Sequence, residues 1–276
     1  MNQSDAAVLL LAGGLRTTPL EDELGLPTLA VEVSPGQTLI NEWLGAAKGV
    51  DAHPISILTR RTDFGAILDE SMRVVQDSDE YRGTGGAVRD AAATLPDSVR
   101  YLIVCEARRR PAVRLADVAA DHVEFDRSVT VACSETGDFL GIYVIDAELL
   151  RSTVSKVGFQ DLKEQWIGRV QSRGAVVGVS RFVTSIPWGE IHDREGLLRS
   201  VGIGDARLRY RAIDGVMGGS VGMVGSGASV SPGARVCDSL VMSGATVEEG
   251  ALVYRSVLGP MARVRRDESI VNEVVA

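Results

Sequence analysis

Between Gly227 and Val264 the unit Ala-x-Val returns five times: Ala228-Ser-Val230, Ala234-Arg-Val236, Ala245-Thr-Val247, Ala251-Leu-Val253 and Ala262-Arg-Val264. Ala228 and Ala234, and again Ala245 and Ala251, lie six residues apart, and Ala228, Ala245 and Ala262 are each 17 residues from the next. Cys237-Asp-Ser-Leu-Val241 and Tyr254-Arg-Ser-Val-Leu258 fall at equivalent places in successive repeats. Few folds tolerate so short a period. It predicts a parallel β-helix over 206–276 whose triangular coils stack, with Val and small Ala inward and Gly and Pro at the corners. A meander of antiparallel hairpins is the competing arrangement, and it does not require such a register. About three coils fit, so one end stays open and predicts a cap or a partner subunit, such as a second copy of the chain joined through the β-helix.

The first part of the chain, 1–205, has a different texture. Short runs rich in Val, Ile and Leu predict strands at Ala7–Leu11, Pro54–Thr59, Met72–Val75, Tyr101–Cys105, Ser128–Cys133, Gly141–Ile145 and Ala175–Ser180. Amphipathic stretches at Thr38–Lys48, Gly85–Ala93, Leu115–His122 and Asp161–Arg173 lie between several of them. That alternation predicts βαβ units, hence a doubly wound, mostly parallel sheet of Rossmann type. Ligands of such sheets bind beyond the carboxyl ends of the strands. The first strand runs into Gly13-Gly14, where missing side chains let backbone N–H groups approach an anion, and Arg16 adds a permanent positive charge. No Gly-Lys-Ser/Thr follows, and there is no Gly-x-Gly-x-x-Gly, so neither a Walker loop nor a dinucleotide fingerprint is present.

Composition removes other classes. A formal net charge of -8 argues against a broad electrostatic grip on nucleic acid. Only 5% of residues are aromatic, which disfavours a base-stacking platform. No apolar stretch has the length of a membrane span, and no signal pattern opens the chain. Cys105, Cys133 and Cys237 are widely spaced and predict neither a disulfide framework nor a zinc site, which fits a reduced, cytoplasmic protein. His122 and His192 read as surface or helix-end residues rather than acid–base catalysts.

The chain resembles the sugar-1-phosphate nucleotidyltransferases over nearly its whole length. The matching elements are Leu11-Ala-Gly-Gly14 with Pro19-Leu20, Arg82-Gly-Thr-Gly-Gly-Ala-Val-Arg89, Gly141-Ile-Tyr-Val-Ile-Asp146, Asp161-Leu-Lys163 and Trp188-Gly-Glu-Ile191. The resemblance implies a nucleotidyltransferase-like α/β domain followed by a short left-handed parallel β-helix of hexapeptide repeats. It also implies attack of a sugar phosphate on the α-phosphate of a nucleoside triphosphate, with release of pyrophosphate. The nucleotide would be held by Leu11, Ala12, Gly13, Gly14, Gln76, Gly83 and Thr84. Gly83 would permit close approach, Thr84 would offer a hydroxyl, and Gly85-Gly86 would leave room for a flat ring. Arg16 and Lys163 would serve catalysis, and Glu106 and Glu190 would hold Mg²⁺.

Departures from the family pattern fall at the charged stations. The loop between Gly14 and Pro19 is two residues short. Thr28, in Pro27-Thr28-Leu29, stands where the family has a lysine, and Ala107 stands where it has a metal-binding aspartate, with Glu106 one residue early. Only Ser134-Glu-Thr-Gly-Asp138 fills the place of the sugar-contacting Glu-Lys-Pro hairpin, and Glu190 is one methylene longer than the family's Asp. Arg108-Arg-Arg110 could lend charge to an anion or form a solvated basic loop. One preorganised charge contact is worth about 3–4 kcal/mol of barrier, so several losses together would remove most of a typical acceleration. Two readings follow. One is a pseudoenzyme that binds a nucleoside triphosphate or nucleotide-sugar and regulates or scaffolds an assembly, alone or with an active paralogue. The other is an active enzyme with a remodelled metal site, making nucleotide-sugar from NTP and sugar-1-phosphate. A hexad-repeat acyltransferase is excluded, because the coils are too few and hold no histidine.

Overall fold

The structure, a computed structural model, describes residues 5–13, 16–61, 70–77, 81–184, 186–203 and 222–276. In chain order come β1 (Ala6–Leu11), α1 (Pro19–Leu24), β2 (Glu32–Ser34), β3 (Gln37–Thr38) and α2 (Leu39–Lys48). Next are β4 (Ile55–Thr59), β5 (Met72–Gln76), α3 (Gly83–Ala92), β6 (Tyr101–Glu106), α4 (Leu115–Glu124), β7 (Val129–Ser134) and β8 (Phe139–Asp146). Then α5 (Ala147–Thr153), a π-helix (Leu162–Ile167) running into α6 (Gly168–Ser172), β9 (Val177–Phe182) and α7 (Arg194–Ser200) complete the larger elements. Two compact units result. The first comprises Met1–Arg16, Trp43–Ala107 and Pro111–Ser185, and the second comprises Thr17–Glu42, Arg108–Arg110 and Ile186–Ala276. The expected boundary after residue 205 lies outside the described residues.

The first unit is a mixed α/β body around a seven-stranded sheet in the order β5-β4-β1-β6-β8-β7-β9. Every pairing is parallel except the two that β8 makes, with β6 and with β7. β1 takes a central place because both of its faces are apolar: Ala6 through Leu10 are all buried. Helix α4 shows the one-sided spacing of a packed helix, burying Leu115, Val118, Ala119 and His122. His122 is thus a helix-end residue but not a surface one. It is 1% exposed, and its Nδ1 lies 2.9 Å from the hydroxyl of Thr130. Leu9, Leu102, Val104, Val129, Tyr143 and Trp166 belong to one continuous core.

In the second unit the repeat forms three small parallel sheets. One joins β10 (Met223–Val224), β13 (Leu240–Val241), β16 (Val257–Leu258) and β19 (Val274–Val275). Another joins β11 (Ser229–Val230), β14 (Thr246–Val247) and β17 (Arg263–Val264), and the third joins β12 (Arg235–Cys237), β15 (Leu252–Tyr254) and β18 (Ser269–Val271). Each pairing links residues 17 positions apart, as Ser229 with Thr246 and Thr246 with Arg263. Between the sheets pack Ala234, Val236, Ala245, Val247, Ala251, Val253, Ala262 and Val264, the Ala-x-Val residues themselves. No helix among the described residues is long and apolar enough to cross a membrane.

Candidate functional site

The carboxyl ends of the parallel strands bring several of the expected residues into one row. Leu11 is level with Leu58 of β4 and Glu106 of β6, and Thr59 is level with Gln76 of β5. Beyond β1 the amide of Ala12 donates to Leu58 O (3.0 Å), and Gly13 follows with a φ of 149°. Gly14 lies outside the described residues. Arg16 is exposed and has no hydrogen-bond or ion-pair partner among the described residues. Gln76 is exposed and donates to Arg60 O (3.2 Å), while Arg60 also pairs with Asp77 (3.2 Å). Glu106 is half-buried. The next residue, Ala107, is fully buried, its amide donating to Leu11 O (3.1 Å) and its carbonyl accepting from Trp43 Nε1 (3.2 Å). The position where the family resemblance puts a metal-binding carboxylate is therefore core.

Gly83, Thr84 and Lys163 form a second group, and the chain itself uses its polar atoms. The amides of Gly85 and Gly86 both donate to Gln160 O, at 2.9 and 3.4 Å, and Gln160 N donates to Arg82 O (2.8 Å). A Cβ on Gly83, whose φ is +70°, would stand 2.5 Å from Gln160 O and 2.8 Å from the ring of Phe159. A Cβ on Gly85 would meet the same carbonyl at 3.0 Å, and one on Gly86 would meet the Arg82 side chain. The room expected for a flat ligand ring beside these glycines is thus filled by Phe159, Gln160 and Arg82. Thr84 Oγ1 donates to Asp161 Oδ2 (2.9 Å) and accepts from Leu162 N (2.9 Å), so its hydroxyl joins α3 to the π-helix. Lys163, on that π-helix, is exposed, with Nζ 5.7 Å from the centre of the Phe139 ring.

The second unit accounts for Thr28 and for the arginine triplet. Thr28 is buried, and both its amide (2.8 Å) and its hydroxyl (3.1 Å) donate to Glu21 Oε1. Glu21 Oε2 accepts from Thr18 N (2.9 Å), closing a capping box with α1, and lies 3.7 Å from Arg108. The threonine thus serves an internal carboxylate rather than presenting a cation. Arg110 is buried in the same unit. Its guanidinium grips Glu42 with two bonds, Nε–Oε2 at 2.8 Å and Nη2–Oε1 at 2.5 Å, and donates to Ser200 O (2.9 Å) and Ser34 Oγ (2.9 Å). Arg109 donates to Trp188 O (3.3 Å), and Arg108 O accepts from Ile191 N (2.8 Å). Arg110 at least is not part of a solvated loop, because it is buried and its guanidinium is fully engaged. It ties the segment 186–203 to 17–42 within this unit.

Burial is the largest single influence on Glu21 and pushes its carboxyl up. The backbone bonds from Thr28 and Thr18, the Arg108 charge and the Thr28 hydroxyl together outweigh burial and hold it below the usual carboxylate value. A carboxylate lowered by folding stabilises above its unfolded-state pKa, near 4.3, and that stability goes as the pH falls through the folded value. Glu21→Gln should therefore flatten the acid limb of a plot of urea midpoint against pH below about 4. At neutral pH it should cost about 1–3 kcal/mol, because one amide group then faces the Thr18 N–H as a donor. An acid limb identical to the parent's would refute this role for Glu21.

Glu190 is exposed in the second unit, whereas Glu106 belongs to the first. Among the described residues no group of three or more His, Cys, Asp or Glu side chains could hold a metal ion. Sequence reading missed Glu21, Asp161 and the buried role of Arg110. Only Glu21 carried a local signal, the Thr18-Pro-Leu-Glu21 capping pattern. Compared with protein-family models the chain matches none, and no curated protein matches it either.

Proposed function

We propose that this chain is a sugar-1-phosphate nucleotidyltransferase-like protein that binds a nucleoside triphosphate or a nucleotide-sugar and has little or no catalytic turnover. In this reading the first unit is the nucleotidyltransferase-like Rossmann domain, and the repeat is its left-handed β-helix. The observation that carries it is a contrast in how charge is used. Arg16, just past the glycine turn of β1, stays exposed and unpaired among the described residues, while Thr28, Arg108 and Arg110 are spent inside the fold. A glycine-rich segment after β1 followed by one exposed guanidinium suits binding of phosphate oxygens. Attack at an α-phosphate needs more, because charge builds on the transferring group and on the departing pyrophosphate. With Arg16 and the exposed Lys163 as the candidate cations, most of that charge is unmet.

The second reading, an active enzyme with a remodelled site, draws on Glu106, which keeps a carboxylate level with Leu11 at the same sheet edge. One experiment separates the two. The full chain is incubated with Mg²⁺, a panel of nucleoside triphosphates and a panel of sugar-1-phosphates, and both pyrophosphate release and melting temperature are followed. We expect no release above background, together with a raised melting temperature for at least one nucleotide or nucleotide-sugar. A ligand at 100 times its Kd that binds only the native state adds about 2.7 kcal/mol. Arg16→Ala should reduce that shift. Sustained turnover with any pair selects the active enzyme, and a flat melting temperature across the panel rejects nucleotide binding.

A further inference from the structure

The seven-stranded sheet ends at β9, and among the described residues no strand pairs with its outer edge. Ser128 N and Val129 N both donate to Val176 O, at 2.8 and 3.2 Å. The even-numbered residues of this strand therefore turn their backbone groups toward β7, and alternation turns the N–H and C=O of Val177, Val179 and Arg181 outward. Natural edges are usually blunted by proline, by bulges or by several charges. Here the run Ala175-Val-Val-Gly-Val-Ser-Arg-Phe-Val183 has no proline, keeps an unbroken register with β7 and carries a single charge, Arg181. Val179 (53% exposed) and Val183 (75%) fall on one face and Val176 (53%) on the other, so apolar side chains are left in water on both sides of this edge. The strand is also held in place, since Arg127 Nη1 donates to Ser180 Oγ (2.7 Å) and its side chain lies against Gly178.

We propose that β9 pairs antiparallel with β9 of a second copy of the chain, about a two-fold axis through Val179. Self-complementarity singles out the second copy. Counting outward from Val179, Gly178 faces Ser180 of the other copy, small against small. Val176 faces Phe182, a β-branched residue against an aromatic, which is a favourable cross-strand pair. Val177 faces the aliphatic stem of Arg181, and Ala175 faces Val183. An axis through Arg181 would instead set two guanidinium groups opposite each other. With the axis at Val179 the outward backbone groups of 177, 179 and 181 meet those of 181, 179 and 177, so each finds a partner. One closed isologous contact forms, and the sheet runs on across the pair. Pairing along one short strand buries less than a standard interface of about 1,600 Å², so association is weak and concentration-dependent.

The test is sedimentation of the full chain from low to high micromolar concentration, with three substitutions at one position. Val179→Lys sets two ammonium groups against each other. Val179→Pro deletes an N–H that the pairing with β7 does not use. Both should weaken self-association at least tenfold while leaving the melting temperature of the dilute protein close to that of the parent. Val179→Cys in a Cys237→Ser background should give a disulfide-linked dimer on mild oxidation, because directly opposed residues of a hydrogen-bonded pair lie about 5.5 Å apart at Cα. A chain that stays monomeric throughout overturns the proposal. So does a dimer that survives Val179→Lys, or an oxidised Val179→Cys that stays monomeric. Met261, on the repeat, is 86% exposed, and association that is lost on Met261→Lys but not on Val179→Lys would place the interface on the repeat instead.

Discussion

Arg110→Ala is expected to destabilise the second unit by about 3–5 kcal/mol, the largest loss among the side chains described above. The wild-type guanidinium makes two bonds to Glu42 and one each to Ser34 Oγ and Ser200 O, from a position almost closed to water. Truncation leaves the Glu42 carboxylate, itself 16% exposed, without its counter-charge, and leaves the Ser200 carbonyl without its donor. Removing one member of a buried pair costs more than the pair contributes, because the survivor keeps its desolvation penalty. Arg110→Lys keeps the charge but loses the planar fork, and should recover only part of the loss. The double substitution Arg110→Met with Glu42→Leu should be milder than Arg110→Ala alone, since it removes both charges together. Thermal melting would read the single change as a fall on the order of 10 °C. A fall within about 3 °C, or a double variant worse than the single, would show that the network carries little stability.

That network marks where reading residues in order stops being sufficient. The strands were legible because apolar runs such as Ala7–Leu11 report burial on both faces. The repeat was legible too: Ala228, Ala245 and Ala262 announced the 17-residue spacing that pairs Ser229 with Thr246 and Thr246 with Arg263. Arg108-Arg-Arg110 gave no such signal. A run of three cations looks like a solvated loop until Glu21 and Glu42, 87 and 68 positions earlier, are brought beside it. His122 misled for the same reason, since its partner Thr130 comes from a strand and not from its own helix. α1 could have been found, because Thr18-Pro-Leu-Glu21 is a capping pattern with proline at the first helical position.

These diverted side chains bear directly on function. A chain under demand for catalysis keeps its cations free to meet charge that develops on the substrate. Here Thr28 and the arginines at 108 and 110 are bound to Glu21 and Glu42, so their bonds stabilise the resting fold equally whether or not a phosphate is present. Interactions that do not strengthen in the transition state add nothing to rate. Arg16 and Lys163 stay exposed, and under the proposed function substitution of Arg16 is the change that separates binding from folding.

Gly83→Ala is expected to cost about 3 kcal/mol, with Gly158→Ala as its internal control. Both glycines hold positive φ, +70° and +78°, so both alanines suffer the same left-handed penalty of about 1–2 kcal/mol. Their surroundings differ. At Gly158 an added methyl meets nothing within 4 Å, whereas at Gly83 it would stand 2.5 Å from the backbone oxygen of Gln160. That oxygen accepts from the amides of Gly85 and Gly86, so moving it away to make room lengthens two hydrogen bonds at the start of α3. The Thr84 bonds to Asp161 and Leu162 would be displaced with it. Chemical denaturation of the two variants side by side isolates the steric part, because backbone strain cancels in the difference. We expect Gly83→Ala to fall below Gly158→Ala by about 1–2 kcal/mol. Equal losses would mean that the contact with Gln160 gives way at little cost, and that the glycine at 83 is needed only for its dihedral angle.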